Sequence, residues 1–217
     1  MPLRARGGIE ASAQSHARDG YSAIYPQKSL SKPGAQVYRA PYLLRDLKAS
    51  HFGHVWSVDI SYIAMGRGFM YMIGVIDVYS RMLVGRALSN TLDTTSSVGA
   101  LEDAIARWGA PEIVNTDQGC QYTSRQKRDT LTSLGIGASM DGPGRCKDNI
   151  WIERFWRTLK RECVYLNPMA RVCEMRQEIK KFIEYYNYQR PHQGIRYKIP
   201  YECCPKEKLI INRPVVA

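Results

Sequence analysis

The pattern of apolar and polar positions changes at residue 55. Apolar, β-branched and aromatic runs at 55–64, 68–78 and 82–88 are separated by the turn segments Met65-Gly-Arg and Tyr79-Ser-Arg, and they predict three successive strands in an antiparallel meander. A polar stop at 90–93 precedes a helix running to about Trp108, Pro111 breaks it, and 112–116 reads as a short strand ending at Asp117. A helix over about 123–134 and a short strand near 136–139 follow. Strand runs followed by alternating helices and strands predict one mixed α/β sheet covered by helices.

The most regular helical period begins after Asp141-Gly-Pro-Gly-Arg-Cys-Lys147, a basic segment whose glycines and proline predict a flexible loop. Asp148 or Asn149 is placed to cap the next helix. Its residues Ile152, Phe155, Trp156, Leu159 and Cys163 form one core-facing stripe, whereas Asn149, Glu153, Arg157 and Lys160 share a neighbouring face. A second helix, over about 171–188, ends at Arg190-Pro-His192.

The flanks read differently. Residues 1–22 are rich in Ala, Ser, Gly and Arg without a period and are expected to be disordered, 23–54 an extended basic arm, 55–188 the core, and 189–217 a basic tail packing on it. A length of 217 residues suits one domain with appendages. The net charge of +11 divides into +5 over 1–54, −1 over 55–140 and +7 over 141–217. Basic flanks around a near-neutral middle suit a polyanion crossing the surface.

The cysteines (Cys120, Cys146, Cys163, Cys173, Cys203, Cys204) form no Cys-x-x-Cys pair, and His16, His51, His54 and His192 have no zinc-finger spacing. Free thiols in a reducing cytoplasm are the expectation. The longest apolar run is of strand length, so no membrane association is expected.

Three acids stand at element edges: Asp59 in Trp56-Ser-Val-Asp-Ile-Ser-Tyr62, Asp117 in Val114-Asn-Thr-Asp-Gln-Gly119, and Glu153 in Asp148-Asn-Ile-Trp-Ile-Glu-Arg-Phe155. Hard oxygen ligands brought together by a fold suit Mg²⁺ or Mn²⁺. Each acid also has an ordinary role open to it: a bonded strand Asp, an Asx turn, or an i,i+4 partner of Arg157. Asp59 is the hardest to explain that way, because a buried carboxylate is costly unless paired or metal-bound.

Taken together, these stretches resemble the catalytic core of DDE transposases and retroviral integrases, most closely the second-frame transposases of the third bacterial insertion-sequence family. The resemblance rests on His54-Val-Trp-Ser-Val-Asp-Ile-Ser-Tyr62, Val75-Ile-Asp-Val-Tyr-Ser-Arg81, Thr116-Asp-Gln-Gly119, the block from Asp148 to Phe155 with Thr158-Leu-Lys160, and Tyr186-Asn-Tyr-Gln-Arg-Pro-His192. The gap of residues 118–152 between Asp117 and Glu153 belongs to the same pattern.

The resemblance implies a ribonuclease H-like fold: a five-stranded mixed sheet, first three strands antiparallel, with helices on both faces. It implies that Asp59, Asp117 and Glu153 are catalytic and hold two Mg²⁺ or Mn²⁺ ions, and that DNA end cleavage and strand transfer follow without a covalent protein intermediate. Lys160, Arg157, Asn149, Arg145 and Lys147 are then candidate DNA contacts, and Asp77 a structural residue. DNA ends and target are the expected partners, in a homodimer or larger synaptic assembly, in the bacterial cytoplasm at the nucleoid. Family members carry a helix-turn-helix region ahead of the core, and residues 1–54 do not supply one. A catalytically idle or truncated DNA-binding remnant acting as a regulator is therefore the alternative. A general ribonuclease accounts for fewer of the blocks, and a tyrosine recombinase lacks its second arginine and nucleophile context.

Overall fold

The structure, a computed structural model, describes residues 40–66, 68–91, 94–117, 131–140, 149–168 and 171–205. The segments 1–22 and 23–39, most of the helix predicted over 123–134, and the loop bearing Arg145 and Lys147 lie outside the described residues.

Among the described residues one five-stranded sheet carries the fold. Its strands are β1 (Val55–Ala64), β2 (Phe69–Asp77), β3 (Leu83–Ser89), β4 (Ile113–Thr116) and β5 (Gly137–Met140). They lie in the order β3-β2-β1-β4-β5, with β1 antiparallel to β2, β2 antiparallel to β3, and β4 parallel to both β1 and β5. This is the mixed sheet that the sequence pattern predicts, in the ribonuclease H-like form that the resemblance implies, and β1 lies at its centre.

Period-2 alternation sends each central strand's side chains to two faces. On one face Trp56, Val58, Ile73, Val75 and Val84 pack with Leu101, Ala104 and Trp108 of α1 (Thr94–Trp108). Gly85 of β3 permits this approach, since a Cβ there would stand 2.6 Å from the Ala100 carbonyl oxygen. On the other face Ile63, Met70, Met72 and Ile76 pack with Ile152, Phe155, Trp156 and Leu159 of α2 (Ile150–Glu162) and with Met175, Ile179 and Ile183 of α3 (Val172–Tyr188). The stripe read from the sequence of α2 is the one that is buried.

Polar ties fix the layers where apolar contact alone would let them slide. Asp77, buried at the end of β2, accepts from the Gly53 N–H at 2.7 Å and from the Ser80 N–H and hydroxyl at 2.7 Å each. Asn187, buried on α3, accepts from the Leu83 N–H and donates to the Leu83 carbonyl, both at 3.0 Å. An edge strand's free backbone pair is thus satisfied by one amide. Beyond α3, Arg190 donates to both carboxylate oxygens of Glu162 at 2.7 and 3.0 Å, and Cys204 is buried against Met82.

Candidate active site

Asp59 sits halfway along the central strand, and its place follows from the alternation of β1. Trp56 and Val58 point toward α1, so Ser57, Asp59 and Ile63 point toward α2. The parallel pairing of β4 ends with Thr116 opposite Val58, which brings Asp117 next to Asp59. Glu153 lies on the exposed side of α2, off the buried stripe, as its helical phase requires.

The three acids share one electrostatic neighbourhood. The Asp59 carboxyl is raised from its ordinary value to about 6: burial is the largest cause, and the charges of Asp117 and Glu153 push the same way. The Trp156 indole and the Ile60 N–H oppose that rise by bonding the charged form. A half-buried carboxylate beside two others is a site of unrelieved negative potential. Three hard oxygen donors of this kind suit a hard divalent cation. The arrangement is open: no three His, Cys, Asp or Glu among the described residues stand close enough to close on a metal ion.

Trp156 is the residue that the sequence pattern does not reveal as part of this site. Its place in the apolar stripe reads as core, and its ring is buried as expected. Its Nε1–H, however, donates to Asp59 Oδ2 at 2.8 Å. Gly74 makes room for it. Gly74 lies opposite Asp59 in the β1–β2 register, and a Cβ there would come within 2.8 Å of Trp156 Cη2 and 3.1 Å of Cζ2. A tryptophan in a helical core stripe, with a polar ring atom that needs a partner, is the signal available in the sequence.

The candidate DNA contacts separate. Arg157 is exposed and Lys160 half-buried on the same side of α2 as Glu153, at helical spacings of four and seven residues. Asn149 is buried, and its side-chain oxygen accepts from the Ser57 hydroxyl. It stands at the N-cap position of α2 but forms no side-chain cap. Its amide therefore ties the start of α2 to β1, next to Asp59, rather than lying on the surface. Arg145 and Lys147 lie outside the described residues.

Comparison with known proteins decides the family. The integrase core domain family matches residues 49–146, and a second integrase core domain family matches 134–200. The transposase for insertion sequence element IS904 of Lactococcus lactis is 36% identical over 179 residues, covering 81% of this chain and 71% of that protein. The chain belongs to the insertion-sequence transposases with an integrase core.

Transposase InsF for insertion sequence IS3A of Escherichia coli is 32% identical over 200 residues, covering 88% of this chain and 69% of that protein. This family assigns the chain to DNA transposition and integration. Solved structures agree on the fold. A simian T-cell lymphotropic virus intasome in complex with a phosphatase regulatory subunit matches with a TM-score of 0.64 at 18% identity, over 86% of this chain and 62% of that one. The HTLV-2 integrase catalytic core in complex with magnesium matches with a TM-score of 0.59 at 17% identity, over 70% of this chain and 97% of that one. Among the described residues of this transposase, no helix is long and apolar enough to cross a membrane.

Proposed function

We propose that this chain cleaves DNA at the ends of a mobile element and joins the freed end to target DNA, with Asp59, Asp117 and Glu153 as its reactive carboxylates. One observation carries the reading: acids from the central strand, the end of β4 and the exposed side of α2 are felt together at Asp59, in a chain with an integrase core. These three would hold divalent ions, two Mg²⁺ or Mn²⁺ in the full reading, and bound ions would supply Lewis-acid polarisation of the scissile phosphate. The magnesium in the solved HTLV-2 core supports that choice.

The rest falls to this chain's own residues. Asp59 is held on a strand by the Trp156 indole and the Ile60 N–H, which orient its carboxylate for the reacting centre. Arg157 and Lys160 offer cations to DNA phosphates beside Glu153. In cleavage, water oxygen bonds to phosphorus and the P–O3′ bond breaks, leaving a 3′ hydroxyl and a 5′ phosphate. In joining, that hydroxyl oxygen bonds to a target phosphorus and the target's O3′ leaves. In each step the attacking group's proton passes to solvent and the leaving O3′ gains one. No covalent protein intermediate is required, so no activated Ser, Cys or Tyr is needed. Two ends must meet, which calls for a dimer or larger assembly on DNA, at the bacterial nucleoid.

The deciding experiment incubates the purified chain with end-containing and target duplexes in Mg²⁺ or Mn²⁺. Joined product that disappears with EDTA and with Asp59→Asn supports the reading, and activity that survives both overturns it. The alternative is a catalytically idle, DNA-binding role. It predicts DNA binding with no cleavage or joining even of pre-nicked ends.

A further inference from the structure

Two sequence blocks that the acidic centre does not use meet on another part of the surface. The turn after β2, ending in Tyr79-Ser-Arg81, and the segment after His192 line a cavity of about 560 Å³ together with Lys48 and Trp151. Four cations, Lys48, Arg81, Arg196 and Lys198, lie on its walls, and none of the described residues lining it is acidic. The buried carboxylate of Asp77 accepts from Gly53 and Ser80, and its charge, like that of Arg154, is felt at Arg81.

The guanidinium of Arg81 is the centre of this site. It lies over the Trp151 ring, 5.8 Å from the centroid, and its Nε would sit 3.7 Å from a Cβ built on Gly194. Its Nη1 is buried with no hydrogen-bond partner among the described residues. A buried guanidinium nitrogen without an acceptor is an expensive arrangement, and an oxyanion entering the cavity would relieve it. Arg154 of α2 adds a further positive charge close enough to act on Arg81.

The backbone points the same way. Arg81, Arg196 and Tyr197 adopt left-handed conformations, with φ of 66°, 58° and 60°, and none is glycine. Such conformations cost free energy and persist where a surrounding structure holds them for a purpose. Here two of the three turn cationic side chains into one cavity. Lys48, Arg196 and Lys198 are exposed at the cavity, where like charges repel.

We propose that this cavity is a second DNA site, which takes a backbone phosphate between Arg81 and its exposed cations and rests the adjoining sugar and base on Trp151 and Tyr79. Its volume falls in the range that holds a nucleotide-sized ligand. Trp151 stands two residues before Glu153 on the same helix, so DNA held here and DNA at the acidic centre would be fixed to one rigid element. The proposal rests on the reading that this chain acts on DNA.

The test measures binding of a fluorescein-labelled duplex to the full chain by anisotropy over a salt series. Arg196→Gln/Lys198→Gln removes two exposed charges at the cavity. Arg176→Gln/Lys180→Gln removes two exposed charges from α3 and controls for net charge. The cavity pair is expected to weaken binding roughly tenfold more than the control and to lower the log–log salt slope by about one to two, one phosphate contributing about 0.9. Thermal melts confirm that both variants fold. Equal losses in the two variants, with the unaltered chain still binding, overturn the cavity and leave the functional reading standing. An unaltered chain that binds no DNA overturns both. Loss of inorganic phosphate binding with DNA affinity retained would make the cavity a free-anion site and overturn the proposal.

Discussion

Trp156 and Asp59, separated by most of the core in sequence, are joined by a hydrogen bond of 2.8 Å between the indole Nε1–H and carboxylate Oδ2. The ring reaches Asp59 only because residue 74, opposite Asp59 on β2, has no side chain. One oxygen of the central acid is thus occupied by the protein, and its orientation is set by the packing of α2 on the sheet. A donor packed into the core in this way holds the carboxylate it bonds in one orientation.

Replacing Trp156 by Phe keeps the ring and removes only the donor. The hydrogen bond lowers the cost of the Asp59 charge, so its loss leaves a half-buried carboxylate less well supported. Mn²⁺ affinity, followed by titration calorimetry, is expected to fall about tenfold or more, the usual range for such partners. The melting temperature is expected to change little. A variant that binds Mn²⁺ as the unaltered chain does would limit Trp156 to a packing role.

A methyl group at residue 74 attacks the same arrangement from the other strand. In Gly74→Ala the new Cβ would meet the Trp156 ring at 2.8 Å, and a ring wedged between strand and helix has no flexible end to move. Overpacking of this size costs about 1–3 kcal/mol. Chemical denaturation is expected to show that loss, together with the weakened Mn²⁺ binding of Trp156→Phe. Stability and metal affinity both unchanged would mean that the ring can shift without moving Asp59.

How much of this could be read from the sequence differs by element. The strands β1 to β3 were legible because their apolar runs are long and bounded by turns, and α2 because Ile152, Phe155, Trp156 and Leu159 recur at helical spacing. The position of Asp59 on β1 followed from the same run. The Trp156 bond was not legible, since it depends on a gap at Gly74 across a strand register that no local pattern encodes. Asn149 shows the opposite failure. Its spacing placed it with Glu153 on one helical face, but the first turn of α2 lies against β1, and Ser57 takes up its side chain. The Arg81 cavity draws on three separate segments, so only the fold assembles it.

Asp59→Asn separates stability from reactivity. At neutral pH the folded chain holds a carboxylate whose pKa is raised to about 6 from 3.8, so ionisation costs more in the folded state than in the unfolded. The sign follows: the group favours folding below its unfolded pKa, and that contribution is lost as pH rises through 6. An amide keeps the shape and still accepts from Trp156 while removing the charge. The metal-free variant is expected to be more stable than the unaltered chain at pH 7 by about 1–2 kcal/mol, read from urea denaturation in EDTA. Equal or lower stability would mean that the three acids do not strain the metal-free fold.

His192 gives the fold an acid limit of its own. Burial, followed by the nearby charge of Arg190, pushes its pKa down from the ordinary 6.5 to about 4. Its ring stands edge-on to Tyr186 with centroids 4.4 Å apart, and its Nε2 is buried without a partner among the described residues. The unfolded chain therefore takes up a proton at a pH where the folded chain does not. Stability is full above about 6.5 and falls as pH drops toward 4. Because the ring is only partly buried, the loss is expected to be about 1 kcal/mol, well below the nominal shift. His192→Phe keeps the contact with Tyr186 and is expected to flatten melting temperature over that pH window. A slope unchanged in the variant would assign the acid sensitivity to other groups.

Asn187 tests whether α3 braces the edge strand β3. Its amide satisfies both backbone groups of Leu83 at the start of β3, each at 3.0 Å, from a buried position on α3. Asn187→Ala leaves that N–H and carbonyl buried and unpaired, and about 1–3 kcal/mol is the usual penalty for each such group. Asn187→Asp keeps the acceptor for the Leu83 N–H but turns a carboxylate oxygen toward the Leu83 carbonyl. Both variants are expected to lower the denaturation midpoint, and hydrogen exchange of the Leu83 amide is expected to accelerate more in the alanine variant than in the aspartate. Equal protection in both would mean that β3 is held by β2 alone and that α3 merely covers it.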